Sequence, residues 1–265
     1  MIPQRVGAAG IALLASTGVA GCSATVAPIV PGAALTVVAA ESFWGSLAQQ
    51  LGGSRVAVTS LVSDPNADPH EFESNTSDAR LFARAGYVIL NGAGYDDWGQ
   101  RLLDSSAEAS RTVLVVADVL GKHAGDNPHF WYSPAYVSAV IDRITADYKR
   151  IDPAGSAAFD AAQAATRSAL QPYFQRVAEI KQRYHGVKVA ATESIVQYLA
   201  TDLGLDLISP HQFMDAIADG NEPPAASVAQ FQRQLSSREA RVLVYNVQTA
   251  TSVTTGAQDL ARQSH

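Results

Sequence analysis

The chain alternates short apolar runs with stretches in which apolar residues recur at helical spacing. Six runs are rich in β-branched residues and show little polar alternation, as strands do when helices cover both faces of a parallel sheet. These predicted strands are Leu35–Ala39, Val56–Leu61, Tyr87–Asn91, Val113–Val116, Lys188–Ala191 and Val242–Tyr245. Helical patterns follow most of them, at Phe43–Leu51, Ser77–Ala85, Asp97–Ser105, Ile195–Leu203 and Thr249–Gln263. This alternation predicts an α/β fold with right-handed crossovers.

The middle of the chain, residues 134–184, contains no candidate strand and is predicted to be helical. Asp152 and Pro153 are typical of a helix start, because proline is favoured at the first helical position. Alanine-rich sequence then runs to Tyr184, which gives a helix of about 30 residues, roughly 45 Å long. We therefore predict two α/β lobes with parallel sheets, joined by this one long helix.

The predicted lobes are residues 35–133 and 185–265. Pro172 lies inside the connecting helix and is expected to kink it, since proline lacks a backbone N–H and crowds the preceding turn. The alternative is two separate helices that break near Gln171.

The N-terminus has the features of a targeting segment. Val6 to Ala20 is uncharged for 15 residues, which is short for a membrane-spanning helix. The stretch ends in Val19-Ala20-Gly21-Cys22, and this pattern of small residues before a lone cysteine resembles the lipobox of bacterial lipoproteins. The resemblance implies a signal peptide at residues 1–21, an acylated Cys22 and a tether at 22–34, so that the protein is extracytoplasmic and lipid-anchored to the cell membrane. The alternative is a buried cysteine in an ordinary signal or anchor segment.

Composition narrows the classes of function. The 265 residues are 47% hydrophobic and 17% charged, which is enough apolar material for a core and too little charge for a disordered chain. The net charge of −6 and the lack of a Lys/Arg stripe argue against nucleic acid as a partner. One cysteine excludes a disulfide framework and a cluster of thiolate metal ligands.

Three residues that can bind metal follow predicted strands. His70 comes after the second strand, His129 after the fourth and Glu193 after the fifth. Open parallel sheets bind ligands at the carboxyl ends of their strands, so we predict that these three side chains meet in one cleft between the lobes. Two imidazoles and a carboxylate suit a divalent ion such as Zn²⁺, Mn²⁺ or Fe²⁺.

Other candidate residues have simpler interpretations. A single loop histidine is more often solvated or hydrogen-bonded than a metal ligand, and this alternative stays open for both predicted ligands. Asp96 and Asp97 are predicted to form a turn and a helix N-cap rather than an acid/base pair. The tryptophans are predicted to pack in the lobes or the cleft. The remaining histidines lack the strand-exit setting and are predicted not to bind metal: His123, His185, His211 and His265.

Four segments resemble, in order, the motifs of the zinc/manganese family of substrate-binding lipoproteins that serve ABC transporters. They are NADPHEFESNTSD at Asn66–Asp78, DNPHFWYSP at Asp126–Pro134, TESIVQYLATDLGL at Thr192–Leu205 and SPHQFMDAIADGNEPP at Ser209–Pro224. The resemblance implies two α/β lobes joined by a long helix. It also implies a monomer that captures a divalent ion, Mn²⁺ or Zn²⁺ with Fe²⁺ also possible, and delivers it to a permease and its ATPase.

The same resemblance implies a fourth, acidic ligand from a later loop of the second lobe. No residue present matches that position, so this ligand is expected beyond His265. The second lobe is therefore expected to be truncated and to bind metal more weakly than a full-length relative.

Two other functions remain as alternatives, a metal-dependent hydrolase and a surface adhesin. His70-Glu71 begins like a zincin helix, but Ser74 stands where the second histidine must be.

Overall fold

The computed structural model describes residues 35–64 and 72–264 of the chain. It is an α/β protein with two separate parallel sheets and one long helix, which confirms the predicted fold class. The predicted signal peptide, the tether with Cys22, the predicted ligand His70 and the terminal His265 lie outside the described residues.

The first sheet belongs to residues 35–133, which we call lobe one. Its four parallel strands are β1 (Leu35–Glu41), β2 (Val56–Val62), β3 (Tyr87–Leu90) and β4 (Thr112–Val115), in the spatial order β2-β1-β3-β4. The helices of this lobe are α1 (Ser42–Gly52), α2 (Thr76–Arg84), α3 (Asp97–Ser105) and α4 (Val116–Val119). All four strands were predicted, with ends that differ by one or two residues.

Lobe one has an apolar core on each face of its sheet. Val37 and Ala39 of β1 point into the core on one side, together with Trp44 of α1. Their neighbours Val38 and Ala40 point into the core on the opposite side. Because successive side chains of a strand alternate between faces, a continuous apolar run can fill both layers at once.

Two helices follow lobe one in the chain. The first, α5 (Pro134–Ile151), begins with proline at its first position. The second, α6 (Ser156–Tyr184), has 29 residues and follows a 3-10 turn at Pro153–Gly155, so it is about 44 Å long. It is one continuous helix with Pro172 inside, and the alternative of two separate helices is wrong. Pro172 is exposed, so the Ser168 carbonyl, which proline leaves without its helical donor, faces water.

The second sheet belongs to residues 185–264, which we call lobe two. Its parallel strands are β5 (Lys188–Ala191), β6 (Asp206–Leu207) and β7 (Leu243–Val244), in the order β6-β5-β7. Its helices are α7 (Gln197–Asp202), α8 (His211–Ala218), α9 (Ala225–Ser236) and α10 (Ser252–Ser264). Strand β6 was not predicted, and β7 is shorter than the predicted run. Within the described ranges, no helix combines the length and the apolar character needed to cross a membrane.

Candidate metal centre

Two of the three predicted ligands approach each other between the lobes. The Nε2 atom of His129, from lobe one, lies 3.5 Å from Oε1 of Glu193, from lobe two, and both side chains are 3% exposed. Two atoms bound to one ion at about 2.1 Å lie roughly 3.0 to 3.4 Å apart, for octahedral and tetrahedral angles respectively. The separation of 3.5 Å lies just above this range, and it is too long for a strong hydrogen bond.

The topology explains why these side chains meet. Glu193 follows the carboxyl end of β5, and His129 follows α4, which itself continues directly from β4. Residues beyond the carboxyl ends of parallel strands collect at one edge of each sheet. The two edges face each other across a cleft of about 660 Å³, whose lining includes His129 and Ser194.

His129 is held in lobe one by aromatic rings and by its own loop. The rings of Tyr95 and Trp131 meet the imidazole edge-on, with centroids 5.9 and 5.3 Å away. Trp131 also stacks on Phe43 of α1 at 3.8 Å. The Nδ1 atom lies 2.7 Å from the side-chain oxygen of Asn127, which also accepts the backbone N–H of His129 at 3.0 Å.

The His129 loop is tied to the end of β3 by a buried amide. Asn91 donates from Nδ2 to the Pro128 carbonyl at 3.0 Å, and its Oδ1 accepts the indole N–H of Trp44 at 2.9 Å. The carboxylate of Asp96 accepts the backbone N–H groups of Asn91 and Gly92 at 2.6 and 2.8 Å. This chain of contacts connects the lobe-one core to the residue immediately before the ligand.

Asp96 occupies the predicted N-cap position of α3. Its side chain makes no capping hydrogen bond to that helix, however, and is directed back at the β3 end. Burial raises the pKa of Asp96, and hydrogen bonds from Gly92 and Asn91 oppose that rise. Burial first, and the neighbouring Asp96 carboxylate second, raise the pKa of Glu41 well above its ordinary value. Glu41 and Asp96 therefore form a buried pair of carboxyl groups near the end of β3. The sequence did not predict this pair.

Glu193 is held in lobe two by polar side chains. Its Oε2 atom accepts hydrogen bonds from Nδ2 of Asn246 at 2.5 Å and from Oγ1 of Thr249 at 3.0 Å. Both donors follow β7, the strand next to β5. The adjacent Thr192 accepts the backbone N–H of Asn246 at 3.2 Å. With Oε2 occupied, Oε1 is the oxygen that faces His129.

The Glu193 carboxylate also affects the pKa of a nearby tyrosine, Tyr132. Burial and the nearby Glu193 carboxylate raise the pKa of Tyr132, so this phenol stays protonated next to the site. Tyr132 belongs to the short 3-10 turn that follows His129.

The match to known proteins covers nearly all of the described chain. Residues 37–264 fit the family described as ZnuA, zinc-uptake complex component A periplasmic. The chain belongs to this family. The family resemblance inferred from the four sequence motifs is thereby confirmed.

Among the relatives of this ZnuA-family chain are two proteins named manganese-binding lipoprotein MntA. The one from Halalkalibacterium halodurans is 26% identical over 211 residues, which are 75% of this chain and 66% of the relative. The one from Bacillus subtilis is 29% identical over 165 residues, 59% of this chain and 53% of the relative. The matched regions thus span between half and two thirds of the length of these relatives.

A solved structure shares the ZnuA-family fold of this chain. The Mn-bound periplasmic metal binding protein from Candidatus Liberibacter asiaticus superimposes with a TM-score of 0.72 at 15% identity, over 86% of this chain and 85% of that one. At this level of identity the similarity supports the two-sheet architecture and not the identity of the ligands.

The described residues contain part of the predicted ligand set. Within residues 35–64 and 72–264, no group of three or more His, Cys, Asp or Glu side chains is arranged to hold a metal ion. His129 and Glu193 are the two predicted ligands in those ranges, and they remain predictions. His211 lines the cleft, while His123 and His185 are exposed.

Sequence reasoning missed the side chains that hold the two candidate ligands. Asn127 lies two residues before His129 in the Asn-Pro-His sequence, where a short amide can accept the later backbone N–H. Asn246 follows a predicted strand, so the strand-exit argument that selected Glu193 also applies to it. Those two signals would have found both residues.

Proposed function

We propose that this chain is the extracytoplasmic substrate-binding component of an ABC transporter, which captures a divalent transition-metal ion and delivers it to a membrane permease. His129 and Glu193, together with His70, are the proposed protein ligands, and Mn²⁺ or Zn²⁺ is the proposed cargo. Cys22 is the proposed site of lipid attachment. The observation that carries the proposal is the buried pair of Nε2 and Oε1, 3.5 Å apart, contributed by two lobes.

The environment of Glu193 favours binding over catalysis. A metallohydrolase needs a carboxylate or other base that is available to take a proton from a metal-bound water. Oε2 of Glu193 already accepts two hydrogen bonds, and Oε1 faces His129. Glu193 is therefore arranged as an oriented ligand and not as a general base.

The test is a titration of metal-free protein with Mn²⁺ and with Zn²⁺, in competition with a chromophoric chelator. We expect one ion per chain. We expect His129→Gln to lose more than about 100-fold in affinity, because an imidazole ligand is removed. His211→Gln is the matched control, since His211 lines the same cleft and is predicted not to bind metal. Equal binding by wild-type protein and His129→Gln would overturn the proposed site.

Acidity provides a second test of the same site. Metal binding requires neutral imidazole, so affinity is expected to fall below about pH 6. Affinity unchanged at pH 5 would count against histidine ligation.

Delivery to a permease is tested by metal uptake in cells whose own binding component has been deleted and replaced by this chain. His129→Gln is the inactive counterpart.

A further inference from the structure

One side-chain amide contacts both candidate ligand loops. The Oδ1 atom of Asn127 accepts the backbone N–H of His129 and faces Nδ1 of its ring at 2.7 Å. Its Nδ2 atom donates to the Ser194 carbonyl at 2.8 Å and to Oε1 of Gln197 at 3.0 Å. The first pair of contacts lies in lobe one and the second in lobe two, so a single amide group spans the cleft.

The first consequence concerns the tautomer of His129. The backbone N–H of His129 can only donate, so the atom of Asn127 that faces it must be the amide oxygen. An amide oxygen can only accept, so Nδ1 must carry the ring proton of neutral His129. Nε2 then keeps its lone pair, and this is the nitrogen that faces Glu193.

The second consequence concerns the spacing of the ligands. Ser194 directly follows Glu193, so the hydrogen bond from Asn127 to the Ser194 carbonyl fixes the backbone next to the carboxylate. Tyr198 of α7 also donates from its phenolic oxygen to the Asn127 carbonyl at 2.8 Å. The loop that carries His129 and the segment that begins at Glu193 are therefore fastened together through one residue.

We propose that Asn127 is a positioning residue, which both selects the metal-binding tautomer of His129 and holds His129 and Glu193 close to each other. This inference rests on the proposed metal-binding function. Outer partners of metal ligands commonly change affinity by about 10- to 100-fold when removed. Asn127 is such a partner for His129, and it also holds the residue next to Glu193.

The test separates the two roles with two substitutions. Asn127→Ala removes every side-chain contact of the amide. Asn127→Asp keeps an oxygen that accepts from Nδ1 but replaces the donor to lobe two with a second acceptor, which repels the Ser194 carbonyl. The measurements are the His129 tautomer in metal-free protein, from long-range proton–nitrogen correlation spectra, and the affinity for Co²⁺ and Mn²⁺.

We expect wild-type protein to show the Nδ1–H tautomer. Asn127→Ala should show mixed tautomers and an affinity about 10- to 100-fold weaker. Asn127→Asp should keep the tautomer and still bind more weakly than wild type, with an altered Co²⁺ absorption spectrum. Retention by Asn127→Ala of both the tautomer and an affinity within twofold of wild type would overturn the proposal.

A matched control separates positioning from general stabilisation of the contact between the lobes. Ser133 donates from Oγ to Asp202 across the same interface at 2.8 Å, so this contact between the lobes does not pass through Asn127. Ser133→Ala should therefore keep the tautomer and nearly full affinity, and a loss equal to that of Asn127→Ala would overturn the proposal. Because the tautomer is measured without metal, failure of wild-type protein to bind metal would count against the proposed function, while the role of Asn127 at His129 would still be tested.

Discussion

The two walls of the candidate site are held by different forces. In lobe one, His129 lies among aromatic rings above a sheet that has an apolar core on each face. In lobe two, Glu193 is oriented by hydrogen bonds from Asn246 and Thr249, which follow the two-residue edge strand β7. The position of His129 therefore depends on the stability of the lobe-one core. The orientation of Glu193 depends instead on a few polar side chains of lobe two, each of which can be substituted singly.

The largest expected effect comes from a substitution in the core of lobe one. Trp44 is fully buried and donates to Asn91, which in turn holds the Pro128 carbonyl. Trp44→Ala should lower the free energy of unfolding by about 3–5 kcal/mol and also weaken metal binding. Chemical denaturation and a metal titration measure the two effects.

The counterpart in lobe two is Phe231→Ala, which opens the core of the other lobe. Phe231 packs on Phe213, whereas the hydrogen bonds that orient Glu193 come from side chains after β7. It should cost a similar free energy of unfolding with a smaller change in metal affinity. If both variants lost affinity equally at temperatures where both are folded, the distinction between the two walls would be wrong.

The next effect concerns the side chains of lobe two that donate hydrogen bonds to Glu193. Asn246→Ala removes a donor to Oε2 of Glu193 and frees the carboxylate to rotate. Affinity for Mn²⁺ should fall by about 10- to 100-fold, as for other outer partners of metal ligands. Thermal unfolding of the metal-free protein should change little, and a large loss of Tm would show that lobe two depends on this contact for folding.

A smaller effect is expected from Thr249, the second side chain that donates a hydrogen bond to Glu193. Thr249→Val keeps the shape of the side chain but removes the hydroxyl that donates to Oε2 at 3.0 Å. One hydrogen bond to a charged group contributes about 1.5 kcal/mol, so affinity should fall by roughly 10-fold or less. Thr249→Ser is the control and should retain near wild-type affinity in the same titration.

The smallest effect concerns acidity in lobe one. The pKa of Glu41 is raised above its ordinary value of 4.5, so folding favours the protonated form. Its contribution to stability is complete below about pH 4.5 and is lost as the pH rises toward the pKa of the folded state. Asp96, the carboxyl group beside it, has a raised pKa and the same sign of effect.

Glu41→Gln removes this ionisation and should gain Tm relative to wild type between pH 5 and pH 8, by about 2–4 °C, which corresponds to roughly 1 kcal/mol in a domain of this size. Differential scanning calorimetry across that pH range measures it. Exposed Glu222→Gln should show no such trend, and a parallel trend in both variants would argue against a special role for the buried carboxyl.

Most of the fold could be predicted because its strands are short runs rich in apolar and β-branched residues, and the central strands β1 and β3 are buried on both faces. Strand β6 could not, since its two residues are one aspartate and one leucine, and its place depends on pairing with β5. The approach of His129 to Glu193 followed from the strand-exit rule. The roles of Asn127, Asn246 and Asp96 depend on contacts with residues distant in sequence or on side-chain direction, which periodicity does not encode.

The length of α6 has a mechanical consequence. Pro172 divides the helix unequally and leaves Tyr184 about 18 Å further along the axis, so a 5° change of angle at the proline displaces the far end by roughly 1.6 Å. That displacement is of the same order as the gap that separates a coordinate bond from a non-bonded contact. A small change of angle at a single proline is therefore enough, by geometry alone, to shift the start of lobe two by more than an ångström.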